Sequence, residues 1–289
     1  MITAGPAARA RLAAVDQLAA AGVASPAYDA TELLSFVLDT RRGLLPLAGD
    51  LTEAQARRYA DLVRRRAARE PLQHIVGTAG FYGLDIKVGP GVFVPRPETE
   101  LLVEHALAAI TDVPTPRVID LCSGSGAIAV AIAARRPTAR VVAVERSADA
   151  LGWLRSNVAD LAPGVRVVHG DALEPLPAGT DSAAPAGAAD LVTCNPPYVP
   201  TTASVEREVD AHDPRAAVFG GADGLNLIRP LVTRIATLLR PDGVVLLEHD
   251  ESHQPEVLAL FRSSGHYRDV EGLPDLAGRP RFVRARRIG

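Results

Sequence analysis

Lysine is almost missing: of the 31 basic residues, only Lys87 is not arginine. The skew reads as compositional bias, and a net charge of −3 does not mark the chain as a nucleic-acid binder. Cysteine is nearly as scarce. Cys122 and Cys194 are the only two, too few for a disulfide framework or a tetrahedral zinc site, so a reducing compartment is the simplest setting. No run of roughly eighteen uncharged apolar residues occurs, and no membrane span or membrane partner is expected. The alanine-rich start is broken by Arg9, Arg11, Asp16 and Gln17 and lacks the apolar segment of a secretory signal, so the expected location is cytoplasmic. What is present is 289 residues, 47% hydrophobic and 22% charged. That excludes a disordered chain or a stapled mini-protein and predicts about two domains.

Up to about residue 69 the spacing is helical, with Leu12, Val15 and Leu18, then Leu33, Leu34, Val37 and Leu38 at three- and four-residue intervals. Ser25-Pro26 offers a cap with proline in the first turn, and Thr52 with Gln55 a capping box. Arg64, Arg65, Arg66 and Arg69 are expected on a solvated helix face. Over 80–94 the period falls toward two around Gly89-Pro90-Gly91, which predicts a β-hairpin. Pro95-Arg96-Pro97 stops the strand, and 98–110 is helical again. From Arg117 onward, β-branched runs at 118–121, 141–144, 165–168, 191–194 and 244–247 alternate with helical stretches. This predicts an α/β fold, an open parallel sheet with helices on both faces. The Ala/Pro/Gly stretch at 175–189 reads as a surface loop. The expected division is a helical domain at 1–78, a hairpin linker at 79–97 and a catalytic domain at 98–289.

In such sheets ligands sit at the carboxyl ends of the strands. After the first run come Asp120-Leu121-Cys122-Ser123-Gly124-Ser125-Gly126 and an apolar helix start. Glycines there let a ligand approach the backbone, and the helix offers unpaired amides. Gly124-x-Gly126-x-x-Ala129 also fits a loose dinucleotide fingerprint. Glu145 ends the second run, where a carboxylate accepts hydrogen bonds from a ribose diol, as found in NAD and in S-adenosylmethionine. Asp171, with Ala172 beside it, ends the third and suits an adenine edge, or simply caps a helix. The decisive segment is Asn195-Pro196-Pro197-Tyr198 after the fourth run. Two prolines stiffen it and leave carbonyls that no ladder consumes. The Asn195 side-chain oxygen and the Pro196 carbonyl can each accept one hydrogen of a planar NH₂ group while Tyr198 packs on its plane. His249, Asp250 and His253, with His212 and Asp213 elsewhere, lack the spacing of a metal site, and a solvated helix start accounts for them.

With these residues in place the chain resembles the S-adenosylmethionine-dependent methyltransferases, and within them the HemK-type family that methylates a glutamine of peptide-chain release factors. The resemblance rests on Asn195-Pro196-Pro197-Tyr198, on Phe93-Val94-Pro95-Arg96-Pro97-Glu98-Thr99-Glu100, on Pro71-Leu72-Gln73-His74-Ile75-x-Gly77, on Gly220-Gly221-Ala222-Asp223-Gly224-Leu225 and on Asp275-Leu276-Ala277-Gly278-Arg279. It implies a Rossmann-like class I fold with a mostly parallel seven-stranded sheet and an N-terminal helical domain joined by a β-hairpin. It also implies S-adenosyl-L-methionine as cofactor, with S-adenosyl-L-homocysteine as product. By position, Asp120 and Cys122, Ser123, Gly124, Ser125 and Gly126 resemble the cofactor loop, Glu145 the ribose binder, and Asp171 with Ala172 the adenine edge. Asn195, Pro196, Pro197 and Tyr198 resemble the catalytic clamp, with Asn195 also beside the cofactor. The implied partner is the Gly-Gly-Gln loop of a release factor, held by the helical domain, with no direct nucleic-acid partner and no metal. Cys122 and Asp250 stand where the family more often has glycine, His74 where it has tyrosine, and Ala172 where a bulkier side chain is common. These departures bear on cofactor affinity. Two other classes fit parts of the pattern. An adenine N6 or guanine N2 methyltransferase would also grip an NH₂ group. An NAD-dependent dehydrogenase or nucleotide sensor would use the glycine loop but leaves Asn195 to Tyr198 unexplained.

Overall fold

All five β-branched runs become strands of one sheet. In the computed structural model, which describes residues 2–176 and 187–289, they are β1 (Arg117–Leu121), β2 (Arg140–Glu145), β3 (Arg166–His169), β4 (Ala189–Cys194) and β5 (Leu239–Glu248). With β6 (Tyr267–Pro274) and β7 (Pro280–Arg287) they form a seven-stranded sheet in the order β6-β7-β5-β4-β1-β2-β3. Strands β1 to β5 pair in parallel, whereas β7 runs antiparallel to both β5 and β6. The expected α/β architecture, mostly parallel, is therefore observed. Most of the 175–189 loop lies outside the described residues, and its last residue, Ala189, already belongs to β4.

The pleat divides the core. Val118, Val141, Ala143, Leu191 and Leu246 pack with the helices Glu100–Ala109, Ala127–Arg135 and Ala148–Leu161. Ile119, Leu121, Val142, Val144, Val192 and Val245 pack with Ile228–Leu238 and Gln254–Ser263. The chain builds outward from β1 through β2 to β3, then returns to β4 on the other side of β1. That reversal opens a crevice at the carboxyl ends of β1 and β4.

The hairpin lies earlier than its sequence signal. Its strands are Thr78–Phe81 and Leu84–Lys87, joined at Tyr82-Gly83, both with positive φ as a twist-matched two-residue turn requires. The Gly89-Pro90-Gly91 segment is not the turn. A Cβ on Gly89 would lie 2.5 Å from the Trp153 ring, and one on Gly91 would lie 2.9 Å from the Asp149 Cβ. These glycines let the helix Ala148–Leu161 pack closely. Phe81, Ile86, Val88, Val92 and Val94 are all buried in the same core as Val118 and Leu154.

The chain divides into two compact units, Met1–Thr78 with Glu206–His212, and Ala79–Val205 with Asp213–Gly289. The smaller is helical, with Ala7–Ala20, Pro26–Leu38, Glu53–Ala67 and Leu72–Val76. Its first helix buries Ala7, Ala10, Ala14 and Leu18, not the face carrying Leu12, which is 57% exposed. Small side chains let that helix approach its neighbours, so three alanines together with Leu18 mark the buried stripe. The capping box forms, with Gln55 N donating to Thr52 Oγ1 at 3.2 Å and Thr52 N donating back to Gln55 Oε1 at 2.9 Å. Ser25, by contrast, makes no side-chain cap. The arginine run is only half solvated. Arg66 is buried between Asp29 at 2.7 Å and Glu208 at 2.9 Å, and Arg69 pairs with Glu208 at 2.6 Å. Losing one partner of such a buried pair strands the other charge, which makes the cluster structural. No described helix is long and apolar enough to cross a membrane.

Candidate functional site

The crevice in the larger unit is a cavity of about 400 Å³, within the size range of small-molecule sites. Its walls bring together residues from four strand ends. Cys122, Ser123, Gly124 and Ser125 come from the β1 loop, Glu145 from β2, Asp171 and Ala172 from β3, and Asn195, Pro196, Pro197 and Tyr198 from β4. Phe93, Pro95, Thr99, Pro214 and Ala217 also line it.

Two predicted residues do not reach the wall. Gly126 sits behind it, where a Cβ would lie 2.4 Å from Leu154 Cδ1. Asp120 lies beneath the loop, fully buried. Its Oδ1 accepts the Thr193 hydroxyl at 2.8 Å, and its backbone carbonyl accepts Ser123 Oγ at 2.9 Å. It therefore ties β1 to β4 from beneath the loop. Burial pushes the Asp120 carboxyl up to about 7, against the lowering effect of the Thr193 and Ser123 hydrogen bonds. The folded state then keeps a proton that the unfolded chain releases near pH 4, so this contribution to stability is full below about pH 4 and is lost as pH rises to about 7. Asp120→Asn removes the titration. Denaturant unfolding across that range should show the native protein losing up to about 4 kcal/mol relative to the variant. Parallel stability curves would contradict this role.

The glycine loop is held from three sides. Ser123 N donates to Val144 O at 3.0 Å, Gly124 N to Glu145 Oε2 at 2.8 Å, and Asn157 Nδ2 to Ser125 O at 2.9 Å. Glu145 also accepts Ser147 N through Oε1 at 2.6 Å, and each carboxylate oxygen keeps a lone pair for a ligand hydroxyl. Cys122 has φ 57°, the left-handed region in which glycine carries no steric penalty. The glycine more usual there therefore has a conformational reason. Both cysteines are free thiols; Cys194 is buried, and burial, with Cys122 beside it, pushes its thiol well up. Asp171 Oδ1 accepts Leu173 N at 3.0 Å, a local turn, while Oδ2 pairs with Arg146 at 3.3 Å.

The β4 segment leaves the sheet with its acceptors unused. Among the described residues no donor reaches the Pro196 carbonyl or Asn195 Oδ1. Downstream the backbone is clamped. Val199 N donates to Val218 O at 3.0 Å and Gly220 N to Val199 O at 2.9 Å, around a bridge between Val199 and Phe219. Gly224 packs directly on the Tyr198 carbonyl. This is the structural use of the Gly220 to Leu225 motif.

Two residues that matter were not singled out from the sequence. Glu248, at the end of β5, accepts the Tyr198 hydroxyl at 2.9 Å and the Thr99 hydroxyl at 2.8 Å, and Asn195 Nδ2 reaches Thr99 Oγ1 at 3.4 Å. Looking immediately after the fifth run, as for the other four, would have found Glu248, and Thr99 lies inside a quoted motif. A helix does start after Glu248, through the turn Glu251–His253 into Gln254–Ser263 with Glu251 and Ser252 exposed, but His249 and His253 are buried rather than solvated. Asp250 does cap the short turn Glu251–His253, accepting Ser252 N at 3.0 Å. Among the described residues no three His, Cys, Asp or Glu side chains converge as metal ligands.

The residues present fit a cofactor that carries a ribose diol and an adenine: the Glu145 and Asp171 carboxylates stand at the ends of β2 and β3, beside the loop that opens the helix Ala127–Arg135. Two family models match the chain, one described as a PrmC N-terminal domain over residues 9–77 and one as a methyltransferase small domain over 84–211. A release factor glutamine methyltransferase of Mycolicibacterium smegmatis is 46% identical over 277 residues, 96% of each chain. One of the same name from Streptomyces coelicolor is 47% identical over 278 residues, 95% of each. A solved methyltransferase structure from Pyrococcus furiosus is similar in fold, with a TM-score of 0.50 at 18% identity over 81% of this chain and 99% of that one.

Proposed function

The chain belongs to the release factor glutamine methyltransferase family, and from that premise we propose that it methylates the side-chain amide nitrogen of the glutamine in the Gly-Gly-Gln loop of a release factor, with S-adenosylmethionine as donor. The observation that carries this is the pair of unused acceptors, Asn195 Oδ1 and the Pro196 carbonyl, in a cavity that ends at the glycine loop. S-adenosylmethionine supplies a methyl group on a cationic sulfur.

A carboxamide nitrogen is a poor nucleophile because its lone pair is delocalised into the carbonyl. Orientation must compensate. Asn195 Oδ1 and the Pro196 carbonyl accept the two N–H groups and fix the plane of the amide, while Tyr198 packs beside it. Both acceptors also favour positive charge developing on that nitrogen, and because they are rigid they need no reorganisation. The surplus proton passes to water after transfer, so no strong base is needed. Glu145, Asp171 and the loop residues Cys122, Ser123, Gly124 and Ser125 hold the donor. Glu145→Ala should weaken S-adenosylhomocysteine binding by roughly 10- to 100-fold. Titration calorimetry giving an unchanged dissociation constant would remove Glu145 from the site.

The helical unit, which exposes Tyr28, Leu44 and Leu47, is read as the docking element for the release factor, and the cytoplasm as the place of work. The test is transfer of labelled methyl to purified release factor, to the same factor with its Gly-Gly-Gln glutamine replaced, and to DNA and RNA. Label on the first alone is expected. Label on the glutamine-replaced factor or on nucleic acid would overturn the reading.

A further inference from the structure

Behind the clamp, four side chains form one hydrogen-bonded chain, Asn195 to Thr99 to Glu248 from Tyr198. Thr99 is 3% exposed and Glu248 2%, so bulk water does not offer the two of them alternative partners. Thr99 is placed by the turn Pro97–Thr99, Glu248 by β5, and Asn195 and Tyr198 by the segment after β4. A hydroxyl has one hydrogen to give. Thr99 spends it on Glu248 Oε2, so toward Asn195 it can only accept. Tyr198 gives its hydrogen to Glu248 Oε1. Asn195 is therefore obliged to turn its NH₂ inward, and its oxygen is the atom left for the cavity.

We propose that Glu248, acting through Thr99, is a positioning residue that fixes which end of the Asn195 amide faces the substrate. This rests on the reading that Asn195 accepts an N–H of the substrate carboxamide. An acceptor-only carboxylate is what gives the network a single polarity. A glutamine at 248 would bring its own NH₂ and let the Thr99 hydroxyl reverse, so that Asn195 could present NH₂ to the cavity, where it repels the substrate's own donors. Burial pushes the Glu248 carboxyl up, while the Thr99 and Tyr198 hydroxyls and the Arg281 guanidinium act the other way. Tyr198, raised well above the ordinary phenol range by burial and by Glu248, stays the donor.

The experiment is a double-variant cycle on the full-length enzyme with release factor as substrate, comparing Glu248→Gln, Thr99→Val, both together, and Thr99→Ser. Each single change, Glu248→Gln or Thr99→Val, should lower kcat by roughly 10- to 100-fold while S-adenosylhomocysteine affinity shifts less than about threefold. The pair should be no slower than the worse single variant, because both break one chain. Thr99→Ser, which restores the hydroxyl, should recover kcat to within about threefold of the native enzyme. A purely packing role would give additive losses and no dependence on the hydroxyl. Thr99→Val with native kcat, or multiplicative losses in the pair, would overturn the inference even if Glu248→Gln fails to fold. Native enzyme that transfers no methyl to release factor would overturn the functional reading itself, and this inference with it.

Discussion

Asn195→Ala is expected to lower kcat by about 10²- to 10³-fold, the usual cost of removing one preorganised polar contact from a reacting group. The side chain is anchored on its inner end by Thr99 and has no protein partner for Oδ1 among the described residues. Truncation therefore removes the substrate's acceptor while leaving the glycine loop and Glu145 in place. S-adenosylhomocysteine affinity should stay within about threefold, and the loss should appear in kcat rather than KM because orientation, not capture, is what disappears. Single-turnover transfer from labelled donor to release factor separates the two. A loss confined to KM would mean that Asn195 merely helps to bind the substrate.

Gly224→Ala should be nearly as damaging, although the residue is not in the clamp. Gly224 has φ +76°, and a Cβ there would lie 2.2 Å from the Tyr198 carbonyl oxygen and 2.5 Å from the His253 ring. Neither neighbour is the loose end of a flexible chain. The backbone oxygen belongs to the segment that carries Tyr198 and so cannot shift without moving the clamp. Left-handed geometry adds roughly 1–2 kcal/mol of its own for a residue with a side chain. The expected outcome is a loss of kcat of at least about 100-fold, together with a lower unfolding midpoint. Native kcat in a folded Gly224→Ala protein would show that the clamp tolerates displacement of its backbone.

Much of this site was legible because it follows one rule, that chemistry lies where a buried strand ends. Glu145, Asp171 and Asn195 were found that way, and the cavity joins them. The rule was stopped one strand short of Glu248. It also included Asp120 and Gly126, which share the loop with cavity-lining residues but work from behind it, one by hydrogen bonds to Thr193 and Ser123 and one by close packing. Strands β6 and β7 gave no run because Arg268, Asp269 and Glu271, and then Arg281, Arg284 and Arg286, interrupt them. At the outer end of a sheet such charges are tolerated and even useful. The hairpin turn was misplaced because Gly-Pro-Gly is a stronger local signal than Tyr-Gly, whereas Gly89 and Gly91 serve the packing of Trp153 and Asp149. Arg66 read as solvent-facing because its partners Asp29 and Glu208 are far away in sequence. In each case local pattern lost to a contact that only the fold creates.

Whether Asn195 and Pro196 grip the substrate amide is decided by a crystal structure with S-adenosylhomocysteine and a peptide carrying Gly-Gly-Gln. The glutamine amide nitrogen is expected about 2.7–3.2 Å from both Asn195 Oδ1 and the Pro196 carbonyl, facing the sulfur. A peptide amide bound elsewhere in the cavity, with those two oxygens turned to solvent, would contradict it.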